Sequence, residues 1–389
     1  MNASPDETIF HLYQICAALE RRFPGNRDPF RILARLMEES GELADQVHLF
    51  ENIGRKRQAG RQPDEQELVK EIKQVLVAAL DIARYYGIEQ QLAQNIHENY
   101  LRALAEGLVA APETPPGRAM HPDQPARIAI QGLAYDAGSS YQRGPALAPP
   151  LIRQALYSGS ANLWSENGTD LAAPGLIADQ GDLAPSPGQD YFDQVTQATA
   201  GLLAQGLRLL SLGGDHSVTF PVVRALAAQS SRLSILHFDA HPDLYDEYEG
   251  NPHSHACPFA RIMEAGLAQR LVQIGIRTLN GHQRQQAQRF GVEIIAMPEW
   301  RDDLRYEFDT PLYISFDMDC LDPAFAPGVS HWEPGGFSTR QVLRVIQTLR
   351  APTIAGADLV EFNPQVEAGR TAMTAAKVLK ELAAKMLAR

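Results

Sequence analysis

Apolar positions in the first hundred residues recur at helical spacing. Phe10, Ile15, Leu19 and Phe23 form one stripe behind a capping-box start at Ser4, Pro5 and Glu7. A second helical stretch runs from about Phe30 into Phe50. A third runs from about Glu65 through Leu68, Ile72, Val75, Leu76, Ala79, Ile82 and Ala83 to a stop at Gly87, and a fourth is expected from Glu89 to Gly107. Pro112, Pro115, Pro116, Pro122 and Pro125 then crowd one short stretch, where they stiffen the backbone and forbid regular pairing. The expected organisation is a small all-α domain over residues 1–106, a Pro-rich linker over 107–126 and a larger domain over 127–389.

In the larger domain the pattern changes to short continuous apolar runs separated by helical stretches. The runs are Arg127 to Leu133, Leu207 to Leu212, Leu233 to Phe238, Leu271 to Ile276, Val292 to Met297, Leu312 to Phe316 and Ile354 to Val360. Strands that are apolar on both faces and alternate with helices imply an α/β fold, with a parallel sheet covered on both sides. Ligands of such sheets bind outside the carboxyl ends of the strands.

Three polar clusters follow directly on such runs: Gly213-Gly214-Asp215-His216-Ser217, Asp239-Ala240-His241-Pro242-Asp243, and Asp317-Met318-Asp319-Cys320-Leu321-Asp322. If the segments stay extended, the pleat points Asp239, His241 and Asp243 to one side, and Asp317 and Asp319 likewise. Carboxylates crowded at one sheet edge repel and raise one another's pKa unless cations neutralise them. His216, Asp239, His241, Asp243, Asp317 and Asp319 are therefore candidate ligands for two divalent metal ions that share carboxylates. Oxygen-rich ligands with two imidazoles and no thiolate suit manganese, nickel or cobalt better than structural zinc. Each motif alone also reads as a helix cap or a hydrogen-bonded loop; three strand ends together are hard to explain that way.

Composition narrows the partners. A net charge of −12 opposes binding to nucleic acid or to an anionic membrane surface. No apolar run approaches the roughly 20 residues of a bilayer span, and the first residues, MNASPDETIF, lack a basic segment followed by a hydrophobic one, so a cytoplasmic location is expected. Cys16, Cys257 and Cys320 are odd in number and far apart, which reads as buried reduced thiols.

The segments GGDHS, HFDAHPDLYDEYEGNPHSHACPFARIME, SFDMDCLDPAFAPGVSHWEPGGFS and GADLVEFNP resemble the ureohydrolase family of arginases and agmatinases, plant-type arginases most of all, from about Arg127 onward. The resemblance implies a three-layer α/β/α sandwich, a trimeric or hexameric homo-oligomer, and a manganese pair. His216 and Asp243 would hold one ion and His241 and Asp319 the other, with Asp239 and Asp317 bridging. It implies hydrolysis of a small guanidino substrate to urea and an amine, arginine to ornithine first, with agmatine or free guanidine as alternatives. Two adjacent cations bring the pKa of water towards neutrality, which suits attack on an electron-poor guanidinium carbon. His255 matches the proton-shuttling histidine, Glu361 the carboxylate that grips the guanidinium, and Asp317 stands with them in the catalytic set. Asn251 and Asn280 stand where amino-acid contacts are expected; other arginases carry an aspartate at the Asn280 position. Trp332 is expected to narrow the cavity towards a small substrate. The competing readings are a hydrolase of formimino or acyl-amide nitrogen and a non-catalytic, metal-stabilised assembly protein.

In the N-terminal region Glu38, Glu39 and Glu42, with Glu71 on a later helix, are similar to the acidic pattern of MazG-type nucleotide pyrophosphohydrolases. Gln74 stands where the last aspartate belongs, which removes an anionic ligand from a magnesium site. A helical packing or oligomerisation module is the expectation.

Overall fold

The computed structural model describes residues 5–22, 28–54, 56, 59–89, 91, 92, 95, 96, 127–183, 185, 188–230 and 232–388. The chain divides into two compact units, Met1–Pro112 and Glu113–Arg389. Ser4 of the expected capping box, most of the fourth helix and the Pro-rich segment lie outside the described residues.

The first unit contains α1 (Pro5–Arg22), α2 (Pro29–Phe50) and α3 (Glu65–Tyr86). Asp28 caps α2 by accepting from Phe30 N and Arg31 N, and Asp64 caps α3 by accepting from Gln66 N. Gly87 ends α3 in the left-handed conformation at φ 65°, as its place in the pattern suggests. The buried apolar cluster here is small, Leu12, Cys16 and Val77 with Leu19 and Leu80 against it.

Among the described residues the second unit is built on eight parallel strands: β1 (Ile128–Leu133), β2 (Ile177–Leu183), β3 (Arg208–Gly213), β4 (Ser234–Phe238), β5 (Arg270–Ile274), β6 (Glu293–Ile295), β7 (Leu312–Asp317) and β8 (Ile354–Val360). Their order is β2-β1-β3-β8-β7-β4-β5-β6, so β7 and β8 fill the space between β3 and β4. The helices are α4 (Ala148–Leu156), α5 (Tyr191–Ala204), α6 (Thr219–Ala227), α7 (Pro258–Glu264), α8 (Gly281–Phe290), α9 (Thr339–Thr348) and α10 (Gly369–Leu387).

Alternate residues of each strand feed two separate cores. Leu236 and Phe238 pack with α4, α9 and α10 on one face, whereas Ile235 packs with α5, α6 and α7 on the other. That is the three-layer arrangement, and it explains why the central strands read as unbroken apolar runs. The expected strands are all present. β2 was not expected: its sequence IADQGDL is polar, it lies at the sheet edge and it is half-exposed. Among the described residues no helix is long and apolar enough to cross a membrane.

Candidate metal centre and its cavity

The four central strands, β3, β8, β7 and β4, end side by side and deliver the polar clusters to one rim. After β3 the chain turns at Gly214, where a Cβ would come within 1.6 Å of the Tyr135 carbonyl oxygen, so only glycine lets the two backbones approach. The 3₁₀ turn His216–Val218 follows, and the Gly214 carbonyl accepts from Glu361 N at 2.9 Å, tying the β3 and β8 ends together.

Convergence of the acidic clusters does not come from the pleat, which corrects the expectation of extended segments. Asp239 lies just past β4, its Oδ1 accepts from His241 N at 2.5 Å, and Asp243 adopts a left-handed φ of 52°. Asp317 closes β7 and accepts from Asp319 N at 2.7 Å as the chain enters the 3₁₀ turn Met318–Cys320. Short side-chain turns thus gather the ligands. Non-glycine residues with positive φ are uncommon, and both Asp243 and Glu361 (φ 62°) have it at this rim.

His216 is wholly buried. Its Nδ1 lies 3.2 Å from Asp239 Oδ2, 3.0 Å from Asp243 Oδ2 and 3.1 Å from Asp317 Oδ2. At the opposite edge of its ring, Nε2 is 2.9 Å from Ser315 Oγ, and Ser315 donates its own proton to Asp358 Oδ1 at 2.8 Å. Because that hydroxyl proton is already committed, Nε2 must be the donor, so in the neutral ring Nδ1 keeps a lone pair. Nδ1 is a buried atom without a hydrogen-bond partner, facing three carboxylate oxygens. Lone pairs on lone pairs need a proton or a metal ion between them, and two imidazoles among four carboxylates are a donor set that fits divalent metal.

A second cluster adjoins the first. His241 Nδ1 lies 2.9 Å from Asp319 Oδ2 and 3.4 Å from Asp239 Oδ1. Asp239 therefore turns one oxygen to each cluster. Asp317 turns Oδ2 to the first, while its Oδ1 is engaged by Asp319 N. His237, which the sequence did not single out within its apolar strand, donates from Nε2 to Asp239 Oδ2 at 2.8 Å and accepts at Nδ1 from Gln273 Nε2 at 3.0 Å. Both of its nitrogens are engaged, so it orients a ligand and is not one.

The electrostatics lead to the same conclusion. Burial, then the charge of Asp239, push the Asp243 carboxyl up to about 7. Burial and the neighbouring Asp319 push Asp317 well above the carboxylate range. Burial opposes protonation of His216, but Asp239, Asp243 and Asp317 outweigh it and raise its pKa. Without cations the cluster collects protons; with them those charges are balanced.

A cavity of about 200 Å³ opens over the rim, lined by Ser140, His241, Asp243, Tyr245, Tyr248, His255, Ala256, Thr278, Gln283, Asp317, Asp319, His331 and Glu361. His255 Nδ1 lies 3.2 Å from Glu361 Oε1 and its Nε2 lies 2.9 Å from Ser140 Oγ. Burial opposes its charge, but Glu361 outweighs burial and lifts the imidazole to about 9.

The three remaining candidates stand outside the cavity wall. Asn280 caps α8, accepting from Gln283 N at 3.0 Å and donating to the Tyr245 hydroxyl at 2.6 Å. Asn251 accepts from His253 N at 2.9 Å within its own loop. Trp332 is 57% exposed and donates its indole N–H to the Pro327 carbonyl at 2.9 Å, so the expected narrowing by this side chain is corrected. The aromatic that this loop does contribute is the adjacent His331.

Comparison with known proteins gives the family. Arginase 1, mitochondrial, of Arabidopsis thaliana is 46% identical over 279 residues, covering 67% of this chain and 81% of the relative. Agmatinase of Neisseria meningitidis serogroup C is 34% identical over 272 residues, covering 65% and 85%. The solved structure of the arginase from Medicago truncatula superposes with a TM-score of 0.64 at 42% identity, covering 67% of this chain and 87% of that one. With residues 126–384, the whole of the sheet and every cavity-lining side chain, matching the arginase family model, the chain belongs to the arginase family of hydrolases.

Proposed function

We propose that the chain hydrolyses L-arginine to L-ornithine and urea with a pair of divalent cations, manganese first, nickel or cobalt as alternatives. His216 and Asp243 would hold one ion and His241 and Asp319 the other, with Asp239 and Asp317 shared. The observation that carries this reading is the buried His216 Nδ1, without a hydrogen-bond partner and facing three carboxylates, beneath a cavity that also holds Glu361 and His255. When bound, such a pair brings the pKa of water towards neutrality and supplies hydroxide at ordinary pH.

The chain's own groups supply the rest. Glu361 presents a buried anionic carboxylate, to which a guanidinium can donate charge-assisted hydrogen bonds. A neutral acyl amide has no use for that charge, and a purely structural metal centre has no use for the cavity. His255 is held in its protonated form by Glu361, and so carries the proton that a departing amine requires. Ser140 Oγ holds the other ring nitrogen and fixes the orientation of the imidazole.

Agmatine is supported as a second substrate by one observation: among the described residues no lysine or arginine lines the cavity, so an α-carboxylate meets no permanent positive charge from them. Free guanidine loses its particular support now that Trp332 lies outside the wall. Assembly as a trimer or hexamer is part of the proposal and rests on the family resemblance. The test is urea release from arginine, agmatine and guanidine by metal-depleted protein resupplied with manganese or nickel. We expect turnover of arginine, and Asp319→Ala to lose both turnover and one metal equivalent by elemental analysis. Survival of turnover in that variant would show the assigned centre to be wrong.

A further inference from the structure

The segment Ala326–Phe337 is fastened at several points. Ser330 Oγ donates to the Gln142 carbonyl at 3.1 Å and accepts from Asn363 Nδ2 at 2.9 Å. Arg277 Nε donates to the Glu333 carbonyl at 2.8 Å, and Val329 pairs with Phe362. Trp332 folds back onto Pro327 within the same loop. A loop held this way fixes the one side chain it sends into the cavity, His331.

The His331 ring stacks on His255 at 5.1 Å and 27°, meets His241 edge-on at 5.9 Å, and lies 5.8 Å from Tyr141, which is 70% exposed. It therefore forms a flat wall from the metal-ligand histidine, past the proton donor, to an exposed tyrosine. We infer that His331 is a specificity-determining residue, whose ring bounds the space for the substituent on the departing nitrogen. The inference rests on the proposed function, in which His255 delivers its proton to that nitrogen; the group stacked on His255 then borders whatever the nitrogen carries. A flat ring at that position suits an unbranched alkyl arm, as in arginine or agmatine, and obstructs a second substituent on the same nitrogen.

The experiment compares metal-loaded wild type, His331→Ala and His331→Phe. Steady-state kinetics are measured with arginine, agmatine and the arginine analogue methylated on the departing nitrogen. Metal content and thermal midpoint are followed in parallel. We expect His331→Ala to keep two metal equivalents and its midpoint, and to raise KM for arginine about tenfold with a smaller change in kcat. It should also improve the methylated analogue relative to arginine. His331→Phe restores a flat ring and should return both KM and the ranking towards wild type.

An unchanged KM and ranking in His331→Ala overturns the assignment, as does a phenylalanine variant that behaves like the alanine one. Loss of metal in His331→Ala that the phenylalanine variant does not restore shows a structural role and also overturns it. If the wild type releases urea from no guanidino compound, the proposed function fails and the assignment with it. If the wild type is active, the variants test His331 alone.

Discussion

Ser315 sits between a histidine and an aspartate, and its single proton sets the tautomer of His216. The hydroxyl donates to Asp358, which also accepts from Thr219 Oγ1 at 2.7 Å and the Tyr313 hydroxyl at 2.6 Å. Removing the hydroxyl in Ser315→Ala frees Nε2 from its acceptor and lets the proton move to Nδ1. We expect metal affinity to fall by about 10- to 100-fold with little change in fold, measurable by chelator competition. The raised carboxyl of Asp243 makes a second prediction. A proton and a cation compete for this oxygen, so metal binding releases that proton below pH 7 and not above it. The Asp243 proton should therefore contribute about tenfold in affinity per pH unit up to about pH 7 and nothing above it, whatever the other ligands add; calorimetry in buffers of different ionisation enthalpy counts the protons. A flat profile from pH 5 to 8 would contradict the pKa that burial and Asp239 impose. The ligand residues are legible in the sequence because each polar cluster follows directly on an apolar run. His237 and His331 are not, since one hides within a strand and the other is distinguished only by a loop whose path depends on Asn363 and Arg277. Trp332 misleads for the same reason, because a neighbour's orientation in a fastened loop cannot be read from the order of residues.

At the scale of elements, local patterning suffices wherever a strand is buried on both faces, as in β3, β4, β7 and β8. It fails at β2, and a distant contact explains why. Arg153 on α4 is 1% exposed; its Nε donates to Asp179 Oδ2 at 2.7 Å, its Nη1 to Asp182, and its Nη2 to the Gly181 carbonyl at 2.9 Å. The polar residues that disguise β2 as a loop are thus the partners of a buried guanidinium. Asp239, Asp243 and Asp319 likewise converge through turns that no periodicity announces, although the spacing D-x-H-x-D does reveal the ligand set. Breaking a buried ion network by removing one partner leaves uncompensated charge. Arg153→Ala should therefore cost about 3 to 5 kcal/mol in urea-induced unfolding. A loss of less than about 1 kcal/mol would mean that the two aspartates are already solvated, as surface pairs are.

At the scale of the whole chain the two units differ in what their acidic residues are prepared to do. The rim of the second unit holds carboxylates opposite imidazoles, with the buried His216 Nδ1 among them. In the first unit Glu39, Glu42 and Glu71 come together, but Gln74 Nε2 donates to Glu39 and, at 3.1 Å, to Glu71 Oε2, while Lys70 reaches Glu71 Oε1 at 3.1 Å. Glu71, although buried, already has both oxygens engaged by donors from the protein. Compensation by an amide and an ammonium does here what a metal ion would have to do, and among the described residues no fourth carboxylate joins the group as a hard-cation site favours. The whole chain of 389 residues, incubated with magnesium and a panel of nucleoside triphosphates, is therefore expected to release no pyrophosphate above a metal-free control. Gln74→Asp removes the amide donor and adds the missing anion, so magnesium binding, followed by calorimetry, should be stronger in that variant than in the wild type. Pyrophosphate release by the unaltered chain would mean that Gln74 and Lys70 swing aside for a metal, and that the first unit has chemistry of its own.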